Sequence, residues 1–133
     1  MATYIQSADI TDSVIRAFVT AADSRLTTWY NRVDYEVISI AQERNVYSTS
    51  IITPLHYKIQ EYAICYFCFL VCQDVYGTNN VETPEYEKYK LKLDWYQERC
   101  NSLRPTITAE MFTYTSASLS AHQRVGSGQL WRG

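Results

Sequence analysis

Eleven consecutive residues, Tyr62 to Cys72 (Tyr-Ala-Ile-Cys-Tyr-Phe-Cys-Phe-Leu-Val-Cys), contain no charged side chain and no glycine or proline. The run is too short to span a bilayer, which needs about 20 apolar residues. It is too long for an ordinary strand and has no alternation. Thr53-Pro54 upstream is a helix start signal, an N-cap hydroxyl followed by proline at the first helical position. Gly77 downstream is a C-terminal stop. The sequence therefore predicts one helix over 54–76 that is apolar all round, and such a helix has to be enclosed by protein. The chain must supply other helices to surround it.

Those partners are legible on both sides. Asp12 or Ser13 starts a short helix through Val14, Ile15, Phe18 and Val19. Ser7 or Asp9 is placed to cap a turn before it. Thr20-Ala-Ala-Asp23 reads as a capping box with Asp in place of Glu, opening a helix with Ala22, Leu26, Trp29, Tyr30 and Val33 near 3.6-residue spacing. A further short helix is expected over 35–43, then a loop with some strand character over 44–52. After a loop over 78–82, Thr83-Pro84 repeats the start signal. The helix that follows carries Tyr86, Tyr89, Leu93, Tyr96, Cys100 and Leu103 at intervals of 3, 4, 3, 4 and 3. That is one continuous apolar stripe. Pro105 ends it, and Thr108 caps a last turn to Phe112. The expectation is an all-α fold: a small bundle of about four helices over 1–112 with a long central helix, plus an extended C-terminal arm over 113–133.

The arm differs in kind. It holds three of the four glycines and no acidic residue, and its two arginines leave it at +2 while residues 1–112 carry −4. It is too poor in apolar side chains to order itself: a disordered tail is the usual fate of such a terminus, and an arm that grips a partner is the role expected here. Ala117, Leu119 and Ala121 alternate with serines, a period-two pattern suited to pairing with a neighbour's sheet edge. Gly126-Ser127-Gly128 is a hinge, and Leu130-Trp131-Arg132 has the composition of an interface anchor. Tyr114, Leu119, Arg124, Leu130, Trp131 and Arg132 are the candidate partner-binding residues.

Chemistry is harder to find. Cys65, Cys68 and Cys72 share a helical face, but a zinc site needs a fourth ligand and turn geometry, so they read as buried thiols packing as small hydrophobes. His56 and His122 are 66 positions apart, and His56 reads as a surface or boundary side chain. Glu61 is expected near the exposed start of the central helix. Lys88 and Lys92 share a face while Lys90 points about 160° away, so the row reads as a solvated surface interleaved with acids. No nucleophile elbow, phosphate loop or dinucleotide fingerprint is present. The expectation is a non-enzyme with no cofactor and no metal. A net charge of −2 argues against a general nucleic-acid binder. The N-terminus has no signal-peptide pattern, so the chain reads as soluble and intracellular. Twelve tyrosines and three tryptophans suit extensive subunit contacts.

The order of these elements resembles the head–tail adaptor (connector) proteins of tailed bacteriophages. Tyr4-Ile-Gln-Ser-Ala-Asp-Ile10 is similar to their opening, and Thr20-Ala-Ala-Asp-Ser-Arg-Leu26 to their Ala-rich helix start. Pro54 to Tyr76 looks like their central helix, Tyr86 to Leu103 like their last helix, and Leu103-Arg-Pro-Thr-Ile-Thr108 like its close. The resemblance implies a virion protein at the head–tail junction, made in the host cytoplasm. It implies a homo-oligomeric ring, typically dodecameric, docked under the portal protein by its C-terminal segment and joined to tail or neck proteins. DNA would pass through the lumen without sequence-specific binding, and no membrane is involved. Read from the residues alone, a small helical adaptor or regulator with a single protein partner stands beside it.

Overall fold

The computed structural model describes residues 4–78 and 84–113, with the backbone alone at 77–78 and 84–86. The fold is all-α. Five helices follow in order: α1 (Ser13–Thr20), α2 (Leu26–Glu43), α3 (Tyr57–Thr78), α4 (Pro84–Leu103) and α5 (Ala109–Thr113). Single 3₁₀ turns at Ser7–Asp9, Ser48–Ser50 and Arg104–Thr106 join them, and no strand occurs among the described residues. The expected loop over 78–82 and the arm from 114 onward lie largely or wholly outside the described residues.

The central helix is the one the sequence marked. α3 packs against α1, α2, α4 and α5. Ile59, Ala63, Phe67, Leu70, Val71 and Cys72 are sealed from solvent. Contacts run antiparallel on both flanks. On α2, the Trp29 indole N–H donates to Asp74 Oδ2 at 2.6 Å while the Tyr30 ring stacks on Phe67 at 4.9 Å. On α4, Arg99 pairs with Glu61 and Cys65 Sγ lies 3.5 Å from the Tyr96 carbonyl. The expected stripe of α4 supplies the buried face: Tyr89, Tyr96 and Cys100 are buried, and Leu93 and Leu103 pack against the core from its rim. Arg104 closes the far end, reaching Glu36 at 3.2 Å and Glu43 at 2.7 Å on α2. Arg44 Nε donates to the Ile107 carbonyl at 3.0 Å.

Local chain chemistry departs from the sequence reading at five points. The central helix starts at Tyr57, not Pro54, and in its first turn the Lys58 N–H is satisfied by His56 Nδ1 at 3.2 Å. His56, expected at the surface or its boundary, is 5% exposed. Gly77 lies inside the last turn of α3 rather than ending it. Thr20-Ala-Ala-Asp23 closes α1 instead of opening α2. Ala22 has φ 52°, its N–H bonds the Val19 carbonyl at 3.1 Å, and the Asp23 N–H bonds the Phe18 carbonyl at 3.1 Å. These two bonds form a Schellman motif with alanine in the left-handed position. The end of α2 repeats it with Asn45 at φ 62°, bonding Gln42, and Val46 bonding Ala41 at 2.8 Å. Finally, the two helices expected over 20–33 and 35–43 are one, because Val33, Val37 and Ile40 continue the buried face begun by Trp29 without a break.

Candidate protein-interaction face on helix α4

Asp12 is the first residue of the site. It caps α1 by accepting from the Val14 N–H at 2.9 Å. Its other carboxylate oxygen accepts from Lys92 Nζ at 2.9 Å and from the Tyr96 hydroxyl. One side chain thus joins the start of α1 to the middle of α4. Burial works against its charge, but the bonds from Tyr96, Lys92 and Val14 prevail and hold its carboxyl below the usual carboxylate range. The same arrangement pushes the Tyr96 phenol far up, through burial and then through its bond to Asp12. Lys92 is therefore not part of a uniformly solvated lysine row. Lys90 is exposed, and Lys88 lies over the Tyr89 ring at 5.4 Å.

Outside this latch, α4 turns a second apolar face to solvent. Leu91 is 70% and Trp95 55% exposed, one helical turn apart, and Arg99 continues the row with its guanidinium 5.6 Å from the Trp95 ring. Tyr96 meets the same indole edge-on at 4.9 Å. Trp95 is common to three surface clefts. One of 340 Å³ is lined by Asp12, Leu91, Lys92, Trp95 and Tyr96. Another of 290 Å³ runs along Trp95, Glu98, Arg99, Ser102 and Leu103. The third, of 220 Å³, leads inward past Glu61, Ile64 and Tyr96 to Cys65 and Cys68. An exposed indole bordered by arginine, with recesses on either side, has the make-up of a protein-binding hot spot.

The residues chosen from the sequence as partner-binding, Tyr114, Leu119, Arg124, Leu130, Trp131 and Arg132, lie outside the described residues. The α4 face is masked in the sequence because the residues outside the core stripe are mostly charged and read as a solvated surface. Leu91 and Trp95 at i and i+4 were the available signal, since two large apolar residues one turn apart on a polar face form an exposed patch. Glu61 is where the sequence placed it, half-exposed near the start of α3, and it is paired with Arg99.

The four cysteines are free and buried, as thiols packed among hydrophobes. They are not equivalent. Burial pushes Cys68 and Cys72 up to about 12. Cys65 receives a thiol hydrogen bond from Cys100, with the sulfurs 3.3 Å apart, and is lowered by it against the opposing effect of burial. Among the described residues no group of three or more His, Cys, Asp or Glu is arranged to hold a metal ion, and no helix is long and apolar enough to cross a membrane. Comparison with protein families, with characterised proteins and with solved structures finds no match to this chain.

Proposed function

We propose that this protein is a structural subunit of a ring-shaped head–tail adaptor in a tailed bacteriophage. It docks under the portal through its C-terminal segment, extends the DNA channel and joins the head to tail components. The order of sequence elements supports this reading. The observation that carries it furthest is the Leu91–Trp95–Arg99 row, a second apolar face on a helix whose first face already fills the core. A ring protomer needs an exposed patch toward each neighbour, and this row is suited to be one of the two. Arginine and tryptophan are the side chains that dominate such contacts.

The test is mass. Light scattering of the full chain, alone and mixed with portal protein, is expected to give an oligomer or a ring formed on the portal. Trp95→Ala should shift the distribution toward monomer, and removal of 126–133 should leave the body folded while weakening portal attachment. A chain that stays monomeric with and without portal would instead support the single-partner adaptor. Unchanged co-purification of the truncated chain would remove the C-terminal segment from the mechanism.

A further inference from the structure

We propose that Cys65 and Cys100 form an oxidation-responsive pair, in which a hydroperoxide entering the cleft beside Trp95 converts the two thiols into a disulfide joining α3 to α4. The inference stands apart from the assembly reading above. Three observations carry it. First, the pair is already in contact. Cys100 Sγ donates to Cys65 Sγ at 3.3 Å. A disulfide bond of about 2.05 Å requires an approach of only about 1.3 Å between two helices that pack along their length. Second, both sulfurs border an opening, and that of Cys65 is the larger. Cys65 lines the 220 Å³ cleft together with Thr11, Glu61, Trp95 and Arg99. Cys100 borders a separate recess with Tyr62, Tyr66 and Gln97. Third, the two thiols are electronically unequal. The hydrogen bond from Cys100, and then Arg99, favour the Cys65 thiolate, whereas that bond, together with burial, disfavours ionisation of Cys100.

These differences assign an order. The Cys65 thiolate attacks one oxygen of hydrogen peroxide, forming an S–O bond and breaking the O–O bond. The hydroxide released takes up the thiol proton to become water. Cys65 is then a sulfenic acid. Cys100 sulfur attacks Cys65 sulfur, the S–S bond forms as the S–O bond breaks, and the departing hydroxide leaves as a second water with the Cys100 proton. In sum, two thiols and one peroxide give one disulfide and two waters. Cys68 lines the same cleft but is held protonated by burial, and Cys72, sealed from solvent, is held protonated in the same way. Both serve as internal controls.

The experiment treats the full wild-type chain with hydrogen peroxide under native conditions, counts remaining thiols after denaturation and maps linked peptides without reduction. The expected result is a fall from four titratable thiols to two, with a single Cys65–Cys100 linkage and a chain lighter by two hydrogens. Four surviving thiols, or a linkage through Cys68 or Cys72, would overturn the proposal. Order is read from variants. Cys100→Ser should trap a dimedone-reactive sulfenic acid on Cys65, and Cys65→Ser should leave Cys100 unlabelled. Equal labelling of Cys100 in Cys65→Ser would overturn the assigned roles. The wild-type map decides the linkage even where a variant fails to fold.

Discussion

Replacing Asp12 with alanine tests the latch between α1 and α4. Three kinds of bond are lost. The N-cap of α1 contributes about 1 kcal/mol. The bond from the Tyr96 hydroxyl is charge-assisted and sits over a buried ring, so its loss costs about 1.5–2 kcal/mol, part of it for an abandoned donor. The Lys92 pair adds no more than about 0.5–1 kcal/mol, because the lysine is 32% exposed and water screens it. Asp12→Ala should therefore destabilise by about 3–4 kcal/mol, measured by urea unfolding at pH 7 with helical circular dichroism. Asp12→Asn keeps the cap through its one amide oxygen but turns an NH2 donor toward Tyr96 and Lys92, so it should cost about 2–3 kcal/mol.

The pH dependence of this advantage has a definite sign. The folded carboxyl is depressed below its unfolded value near 3.8, so the native state binds fewer protons there. The stabilisation is complete above the unfolded value and is lost as pH falls through the lower, folded one. The gap between wild type and Asp12→Asn should be constant from pH 8 to pH 5 and close below about pH 4. A cost under about 1 kcal/mol for Asp12→Ala at pH 7 would mean that only the cap is real and that Lys92 and Tyr96 do not hold α1.

Ala22→Gly should raise stability by about 0.5–1 kcal/mol, since the cost of a left-handed alanine exceeds the added backbone entropy of glycine. The thermal midpoint should rise by about 2–4 °C, and a fall would contradict the Schellman ending of α1. Tyr89→Ala removes a buried ring that meets Phe18 at 6.1 Å and should cost about 3–4 kcal/mol by denaturant titration; under about 0.5 kcal/mol would show that the α4 stripe is not core. Trp95→Ala should move stability by less than about 1 kcal/mol while altering association. A larger loss in the monomer would make the indole structural.

Periodicity carried most of the fold. The unbroken apolar run of α3 and the 3-4 stripe of α4 identify the enclosed helix and its main partner, and Asp12 announces α1 through its capping chemistry. What failed were signals whose meaning depends on direction. Thr20-Ala-Ala-Asp23 offers the same residue types to a helix that ends as to one that begins. Only the left-handed backbone at Ala22 decides, and alanine gives no hint of it. Thr53-Pro54 likewise marks a turn that precedes the helix, in whose first turn the Lys58 N–H is met by His56. The α4 face was half legible, because Leu91 and Trp95 are spaced as neighbours although the charged residues between them suggest a solvated surface. The Cys65–Cys100 contact was not legible at all. It joins residues 35 apart through a packing register that no local pattern specifies.

That register also links the outer face of α4 to its inner one. Trp95 is flanked by Tyr96, whose hydroxyl is fixed by Asp12 on α1, and by Arg99, which is held by Glu61 on α3. Both groups that border the exposed indole are thus anchored on other helices. A partner binding Trp95 meets a side chain whose surroundings are already ordered, and ordering that would otherwise be lost on association has been met in folding. It follows that loosening the latch should weaken association even though Asp12 is only 15% exposed. Asp12→Asn, folded at pH 7, is expected to associate less well than wild type. Tyr96→Phe should reproduce the effect with the Asp12–Lys92 pair intact. Equal association by all three chains would mean that Trp95 binds as an independent side chain and owes nothing to the helices beneath it.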